Sequence, residues 1–326
     1  MIPKIGITIG DINGIGPEIA LKTISEIDLA ASIPILISPA SVIDFYNSEL
    51  GLNKSLHKIT SVSEAKVGFF NLLVTENLPA NIQTGAITKE SGFISMKSIA
   101  LAIDLCKNKE LNAMVTLPIS KEAVQLAGYD IPGHTEFLAK QTNSDQFLMM
   151  LVSGDLRIAL ITGHIPISNV AASIKQDLII SKATILSESL KQDFGISYPR
   201  IAVFGLNPHA GDGGVLGSEE KEIIAPAIGK LKESEINVEG PFPADGFFGQ
   251  KKHLKYDAIL AMYHDQGLAP FKLLSFGKGV NFTAGLPIIR TSPDHGTAFD
   301  IAGKGISDPS SFIQAYELAV ELAQKN

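Results

Sequence analysis

Cysteine is almost absent: Cys106 is the only one in 326 residues. One thiol closes no internal disulfide and builds no thiolate zinc cage, so any metal must sit on nitrogen and oxygen donors. Long apolar runs are missing as well, and none approaches the roughly 20 residues a membrane-spanning helix needs. The N-terminus, MIPKIGITIG, enters a strand pattern without the charged segment and long apolar core of a secretion signal. The expectation is a cytoplasmic chain that meets no membrane. Positive charge is in deficit, with 27 Lys and Arg against 34 Asp and Glu and a formal net charge of −7. That argues against a nucleic-acid partner and for a small molecule. Two nucleotide signatures are also missing. GDINGIGPE (10–18) is a Gly-rich strand-to-helix turn with Pro17 placed for a first helical turn, but Ile19 stands where GxGxxG needs its last glycine. GDGGVLG (211–217) fails the same spacing, and GxxxxGK followed by Ser or Thr does not occur. The missing spacings argue against a Rossmann site and a P-loop, so a nicotinamide cofactor would have to bind in another way.

What is present is a long alternation. KIGITI (4–9), IPILIS (33–38), NAMVTL (112–117), FLMMLV (147–152), RIALIT (157–162), RIAVFG (200–205) and DAILAM (257–262) are short apolar runs. Continuous rather than alternating apolarity predicts strands buried on both faces, as in a parallel sheet covered by helices. Amphipathic patterns at 94–110, 176–194, 218–233 and 310–325 lie between and after them. Strand and helix in turn predict an α/β fold with a mostly parallel sheet. The runs at 147–152 and 157–162 are joined only by SGDL, which predicts a hairpin. No repeat, low-complexity tract or linker divides the chain, although its length suffices for two lobes with a ligand cleft between them.

Three of the seven histidines follow strand candidates directly. RIALITGH delivers His164, RIAVFGLNPH delivers His209 and DAILAMYH delivers His264. Open α/β sheets bind ligands outside the carboxyl ends of their strands, so histidines distant in sequence could meet at one edge. Three imidazoles with an open position describe a catalytic metal site rather than a structural one. Ordinary loop histidines are the plainer alternative. Asp265 follows His264, and Asp212 lies three residues after His209. Each could be a base, a group that orients an imidazole, or a turn residue. Asp245, in PFPADGFF, has apolar neighbours; burial there would raise its pKa and suit it to accept a proton.

Two further clusters point to an anion. GHTEFLA (133–139) opens an amphipathic run, where backbone N–H groups favour negative charge. Thr135 could equally be a helix N-cap, which leaves His134 unexplained. The stretch FKLLSFGKGVNFTAGLPIIR (271–290) holds Lys272, Lys278, Asn281 and Arg290 with few acids. A guanidinium fork and a point charge suit phosphate or carboxylate; a solvated basic face is the alternative.

These segments together resemble a known family. GDINGIGPE and SPDHGTAFDIAGKG (292–305) are similar to the GDGIGPE and HGSAPDIAGKG segments of isocitrate and isopropylmalate dehydrogenases. TLPISK (116–121), GHTEFLA, ITGH, NPHAGDGG, PADGFF and YHDQGLAPFK resemble segments of 4-hydroxythreonine-4-phosphate dehydrogenases, which belong to the same superfamily. The likeness runs from residue 10 to residue 305, and NPHAGDGG with YHDQG is specific to the group. Ile12 and Ser120 depart from it, where proline and asparagine are common.

The resemblance implies a two-lobed α/β/α sandwich with a mostly parallel sheet and no Rossmann fingerprint. Residues 1–130 plus 268–326 would form a nucleotide-side lobe, and 131–267 a metal and dimerisation lobe. It implies a homodimer with its active site at the subunit interface. His164, His209 and His264 would ligate one divalent ion, whether zinc, magnesium, manganese or cobalt. NAD or NADP would bind with its adenosine part at His295 and Gly296. His134, Thr135, Lys272, Asn281 and Arg290 would contact a phosphorylated substrate; Lys272 is also a catalytic candidate, and either Asp245 or Asp265 is a candidate base. The implied reaction oxidises 4-phosphooxy-L-threonine at C3 and releases CO₂ to leave 3-amino-2-oxopropyl phosphate, within pyridoxal 5′-phosphate biosynthesis. A sister dehydrogenase of threonate or erythronate 4-phosphate, and a metal-dependent hydrolase, are the alternatives.

Overall fold

The computed structural model describes residues 2–75, 80–131 and 133–325. The chain divides into two compact units, Met1–Asp145 with Leu286–Asn326, and Gln146–Gly285. The first unit begins with strands β1 (Lys4–Thr8), β2 (Ile33–Ser38), β3 (His57–Ile59), β4 (Asn71–Val74) and β5 (Ala113–Thr116). The second carries β6 (Leu148–Ser153), β7 (Leu156–Leu160), β8 (Ile201–Phe204), β9 (Val238–Phe242), β10 (Ala258–Ala261) and β11 (Val280–Ala284). The chain then returns to the first unit with β12 (Arg290–Pro293).

In the first unit the strand order is β3-β4-β2-β1-β5-β12, and every pairing is parallel. β2 and β5 are buried along their whole length, as their unbroken apolar character predicts. The helix Lys89–Lys107 contributes Met96, Ile99 and Ile103 to one core with Ile35, Ile37 and Met114. Each such side chain removed from water stabilises the fold by about 1.5–3 kcal/mol. This helix begins five residues before the expected 94 because the Thr88 hydroxyl accepts from Ser91 N at 3.1 Å and caps it.

The second unit has the order β11-β6-β7-β10-β8-β9. Pairing is antiparallel between β11, β6 and β7 and parallel from β7 through β10 and β8 to β9. The β6–β7 hairpin is the expected one: Ser153 faces Leu156, and Gly154 takes a φ of 55° in the turn between them. The pattern at 218–233 is not one helix. A π-helical turn, Glu220–Ile224, leads into the helix Ala225–Glu233, where Pro226 has no N–H to continue the ladder.

The unit boundaries differ from those expected near 130 and 267, and packing explains why. The helix His134–Gln141 puts Phe137 and Leu138 into the core of the first unit. The helix His264–Ser275 puts Leu268 and Phe271 into that of the second, where β11 also pairs with β6. Among the described residues, no helix is long and apolar enough to cross a membrane.

Candidate active site

β7, β10 and β8 are successive parallel neighbours, so their carboxyl ends share one edge. His164 lies beyond β7, His209 beyond β8, and His264 beyond β10, where it opens the helix His264–Ser275. The His164 and His264 rings stand 5.5 Å apart between centroids. His264 Nδ1 is 2.7 Å from Asp265 Oδ1. With a carboxylate as acceptor, Nδ1–H donates and Nε2 keeps its lone pair for an ion. Asp265, a candidate base, is thus engaged in orienting the imidazole.

His209 is held differently. It begins a run of left-handed residues: His209, Ala210, Gly211, Asp212, Gly213 and Gly214 have φ of 53°, 52°, 80°, 43°, 66° and 104°. Three of the six have side chains, and each left-handed L-residue costs roughly 1–2 kcal/mol. Such strain persists only where surrounding contacts over-determine it. A cavity of about 510 Å³ is lined by His209, Asp245, Phe248, Tyr263, Gln266 and Pro270, among others. Asp245 sits in the first turn of the helix Ala244–Gly249 and is exposed, so the burial that its apolar sequence neighbours would allow does not occur. The side chains of Phe247 and Phe248 take the apolar packing instead. Asp212 is exposed, and its carbonyl accepts from Val215 N in the turn.

Among the described residues, no three His, Cys, Asp or Glu side chains stand close enough to hold a metal ion. The fold brings together two imidazoles and one orienting carboxylate, and puts His209 and Asp245 on the wall of one cavity. His164 and His264 offer imidazole donors of the kind a divalent transition ion takes, His264 with its Nδ1 already committed to Asp265.

In the first unit Arg290 is 3% exposed. Its Nε and Nη2 donate to Thr116 Oγ1 at 3.0 and 2.7 Å, across neighbouring strands β12 and β5. Burial lowers its pKa to about 10, with the Glu136 carboxylate working the other way. Burial, then the charge of Arg290, holds His134 well below the ordinary histidine value, so it is neutral. His134 Nε2 is buried and makes no hydrogen bond. Thr135 is not the helix cap: Gly133 occupies that position, and Thr135 lies inside the first turn. In the second unit, Asn281 Oδ1 on β11 is likewise buried without a partner, and Lys272 is exposed in the last turn of its helix.

The Gly-rich N-terminal turn and the 295–305 segment pack together in the first unit. Ile15 N donates to Thr297 O at 3.0 Å, and a Cβ on Gly14 would stand 2.9 Å from that oxygen. Only glycine allows so close an approach. His295 Nδ1 is 3.1 Å from Gly296 O, while Nε2 is buried and unpartnered. Two residues escaped sequence reading: Thr116, an ordinary strand threonine, and Glu220, inside an acidic run that looks like an exposed helix face. A charged or strained neighbour was their signal, and it is visible only in space.

Strand-end histidines with an orienting carboxylate in the second unit, and a buried guanidinium in the first, mark an α/β protein with groups suited to a small charged molecule. Comparison with known proteins narrows this class. The chain belongs to the family of the pyridoxal phosphate biosynthetic protein PdxA, whose sequence profile matches residues 30–319. A Prosthecochloris aestuarii protein named 4-hydroxythreonine-4-phosphate dehydrogenase is 47% identical over 326 residues, covering 97% of this chain and 96% of its own. An Oceanobacillus iheyensis protein provisionally named D-threonate 4-phosphate dehydrogenase is 41% identical, covering 98% of each. The crystal structure of a 4-hydroxythreonine-4-phosphate dehydrogenase from Klebsiella pneumoniae is similar with a TM-score of 0.91 and 36% identity, covering 99% of this chain and 100% of that one.

Proposed function

We propose that this chain is a dehydrogenase that oxidises the C3 hydroxyl of 4-phosphooxy-L-threonine. The β-keto acid so formed loses CO₂ and leaves 3-amino-2-oxopropyl phosphate, a precursor of pyridoxal 5′-phosphate. The observation that carries the proposal is the position of unmet polar atoms. His134 Nε2, Asn281 Oδ1 and His295 Nε2 are buried without a partner, and all three belong to residues at which the resemblance implies substrate or cofactor. An unsatisfied buried group costs about 1–3 kcal/mol, which a bound ligand would recover.

Bound at His164, His209 and His264, a divalent ion would supply acidification of the hydroxyl, and NAD or NADP at His295 and Gly296 would supply the hydride acceptor. Asp245, on the cavity wall, takes the hydroxyl proton. Asp265 keeps His264 turned toward the ion through Nδ1. Arg290 and Lys272 hold the charged groups of the substrate, and neutral His134 with Thr135 hydrogen-bonds its oxygens. The chain works in the cytoplasm as a homodimer, with its site completed at the subunit interface. Oxidation of D-threonate 4-phosphate is the second reading, favoured by the name of the Oceanobacillus relative.

One assay tests these together. Purified protein, NAD or NADP, and each of zinc, magnesium, manganese and cobalt are given the amino substrate and its hydroxy-only analogue side by side. Absorbance of reduced nicotinamide should rise with the amino substrate. A rise with the hydroxy analogue alone favours the second reading, and phosphate-ester hydrolysis without any rise returns the hydrolase. His209→Ala should abolish turnover while circular dichroism stays that of the parent. Full activity of that variant at limiting metal would remove His209 from the ligand set.

A further inference from the structure

We infer that Glu220 is a positioning residue for His209, its buried carboxylate building the turn that carries the imidazole. The inference rests on the reading of His209 as a metal ligand. Glu220 is 5% exposed. Its Oε1 accepts from Leu206 N and Asn207 N, both at 2.7 Å, and Oε2 accepts from Asn207 Nδ2 at 3.0 Å. Glu219 Oε2 takes a second bond from the same Asn207 amide at 2.8 Å. The two backbone donors and the Asn207 side chain lie between the end of β8 and Pro208, the point from which the left-handed run starts.

The carboxylate also occupies the inside of that run. A Cβ on Gly211 would stand 2.5 Å from Glu220 Oε2, and one on Gly205 3.1 Å from Oε1. Glycine at both positions therefore lets the chain close around the carboxylate. Burial alone would raise the pKa of Glu220, but the hydrogen bonds it accepts more than offset this and hold it ionised. An ionised acceptor is a strong partner for two successive backbone N–H groups. It satisfies two successive backbone donors just before the left-handed run, and so ties the start of the turn that carries His209 to the end of β8. The imidazole is aimed from its backbone, in contrast to His264, which is held by Asp265 at the ring.

Zinc binding to the metal-free chain, followed by titration calorimetry, tests the inference. Glu220→Ala should weaken zinc affinity by about ten- to hundredfold, the range for residues that orient metal ligands. Glu220→Gln, which keeps an oxygen acceptor for Leu206 N and Asn207 N, should stay within a few-fold of the parent. The KM for NAD should not move in either. Should the alanine variant fail to fold by circular dichroism, Glu220→Asp carries the test: it keeps the charge but withdraws it by one methylene, and should weaken zinc binding. Parent-like zinc affinity in a folded Glu220→Ala or Glu220→Asp chain overturns the inference. His209→Ala is run beside them. If it weakens zinc binding and the Glu220 variants do not, only the positioning role falls; if it too binds like the parent, the metal reading falls and takes this role with it.

Discussion

Arg290 is a cation placed where water barely reaches, and Thr116 fixes its orientation by accepting from two of its nitrogens. A hydrogen bond to a charged group contributes roughly 1.5–3 kcal/mol, and 1.4 kcal/mol is a factor of ten in affinity. Thr116→Val keeps the shape and removes the acceptor. It should raise the KM for the phosphorylated substrate on the order of tenfold or more and leave the KM for NAD unchanged, as read from initial rates. An unchanged substrate KM would mean that Arg290 does not need Thr116 to present its charge. Arg290 and His134 were legible in the sequence because a guanidinium and an imidazole in apolar surroundings are conspicuous. Thr116 and Glu220 were not, because threonine is an ordinary strand former and glutamate an ordinary helix former. Whether Asp245 is buried was not legible in the sequence: Phe247 and Phe248 pack toward the core, while Asp245 is solvent-exposed on the cavity wall.

At the scale of elements, the helix Gly16–Thr23 and the segment after His295 depend on one buried acid. Glu18 accepts from Lys22 Nζ at 2.8 Å, Ser307 N at 2.8 Å and Gly305 N at 3.2 Å. Burial raises its pKa, and these donors more than offset it, so the folded-state value lies below the ordinary glutamate range. A depressed folded-state pKa contributes stability that is full above the unfolded value and is lost as pH falls through the folded one. Glu18→Gln should therefore lower stability at neutral pH, and its deficit should narrow on acidification, measured by urea unfolding across a pH series. A deficit that does not change with pH would show that the charge is not the source. The apolar runs marked β1, β2, β5, β6, β7, β8 and β10 in advance, with ends shifted by a residue or two. β3, β4, β9, β11 and β12 escaped because each is short or carries a polar residue such as Asn71, Glu239, Asn281 or Arg290. Sheet neighbours, not local propensity, make them strands.

At the scale of the whole molecule, the second unit leaves large apolar side chains in water. Ile167 and Phe276 are 73% and 83% exposed, and Val215, Leu216 and Leu273 are exposed with them. Side chains of this kind mark interaction surfaces when they gather in patches, and the proposed homodimer would cover them. Phe276→Glu combined with Leu273→Glu should give a monomer by light scattering and lose activity; a dimer of unchanged stability would place the interface elsewhere. The sequence by itself determined the α/β class, the hairpin at Gly154, the delivery of His164, His209 and His264 beyond three strands, and the family. Each of these rests on local periodicity or contiguous motif, which the linear chain carries whole. Tertiary structure alone decided that β7, β10 and β8 are neighbours, that two of the three imidazoles stand together, and that the unit boundaries fall after Asp145 and Gly285. It also decided that Glu220 lies inside the turn of LNPHAGDGG. These depend on which distant segments pack together, a choice made by burial and hydrogen bonding across the fold rather than by any neighbour in sequence.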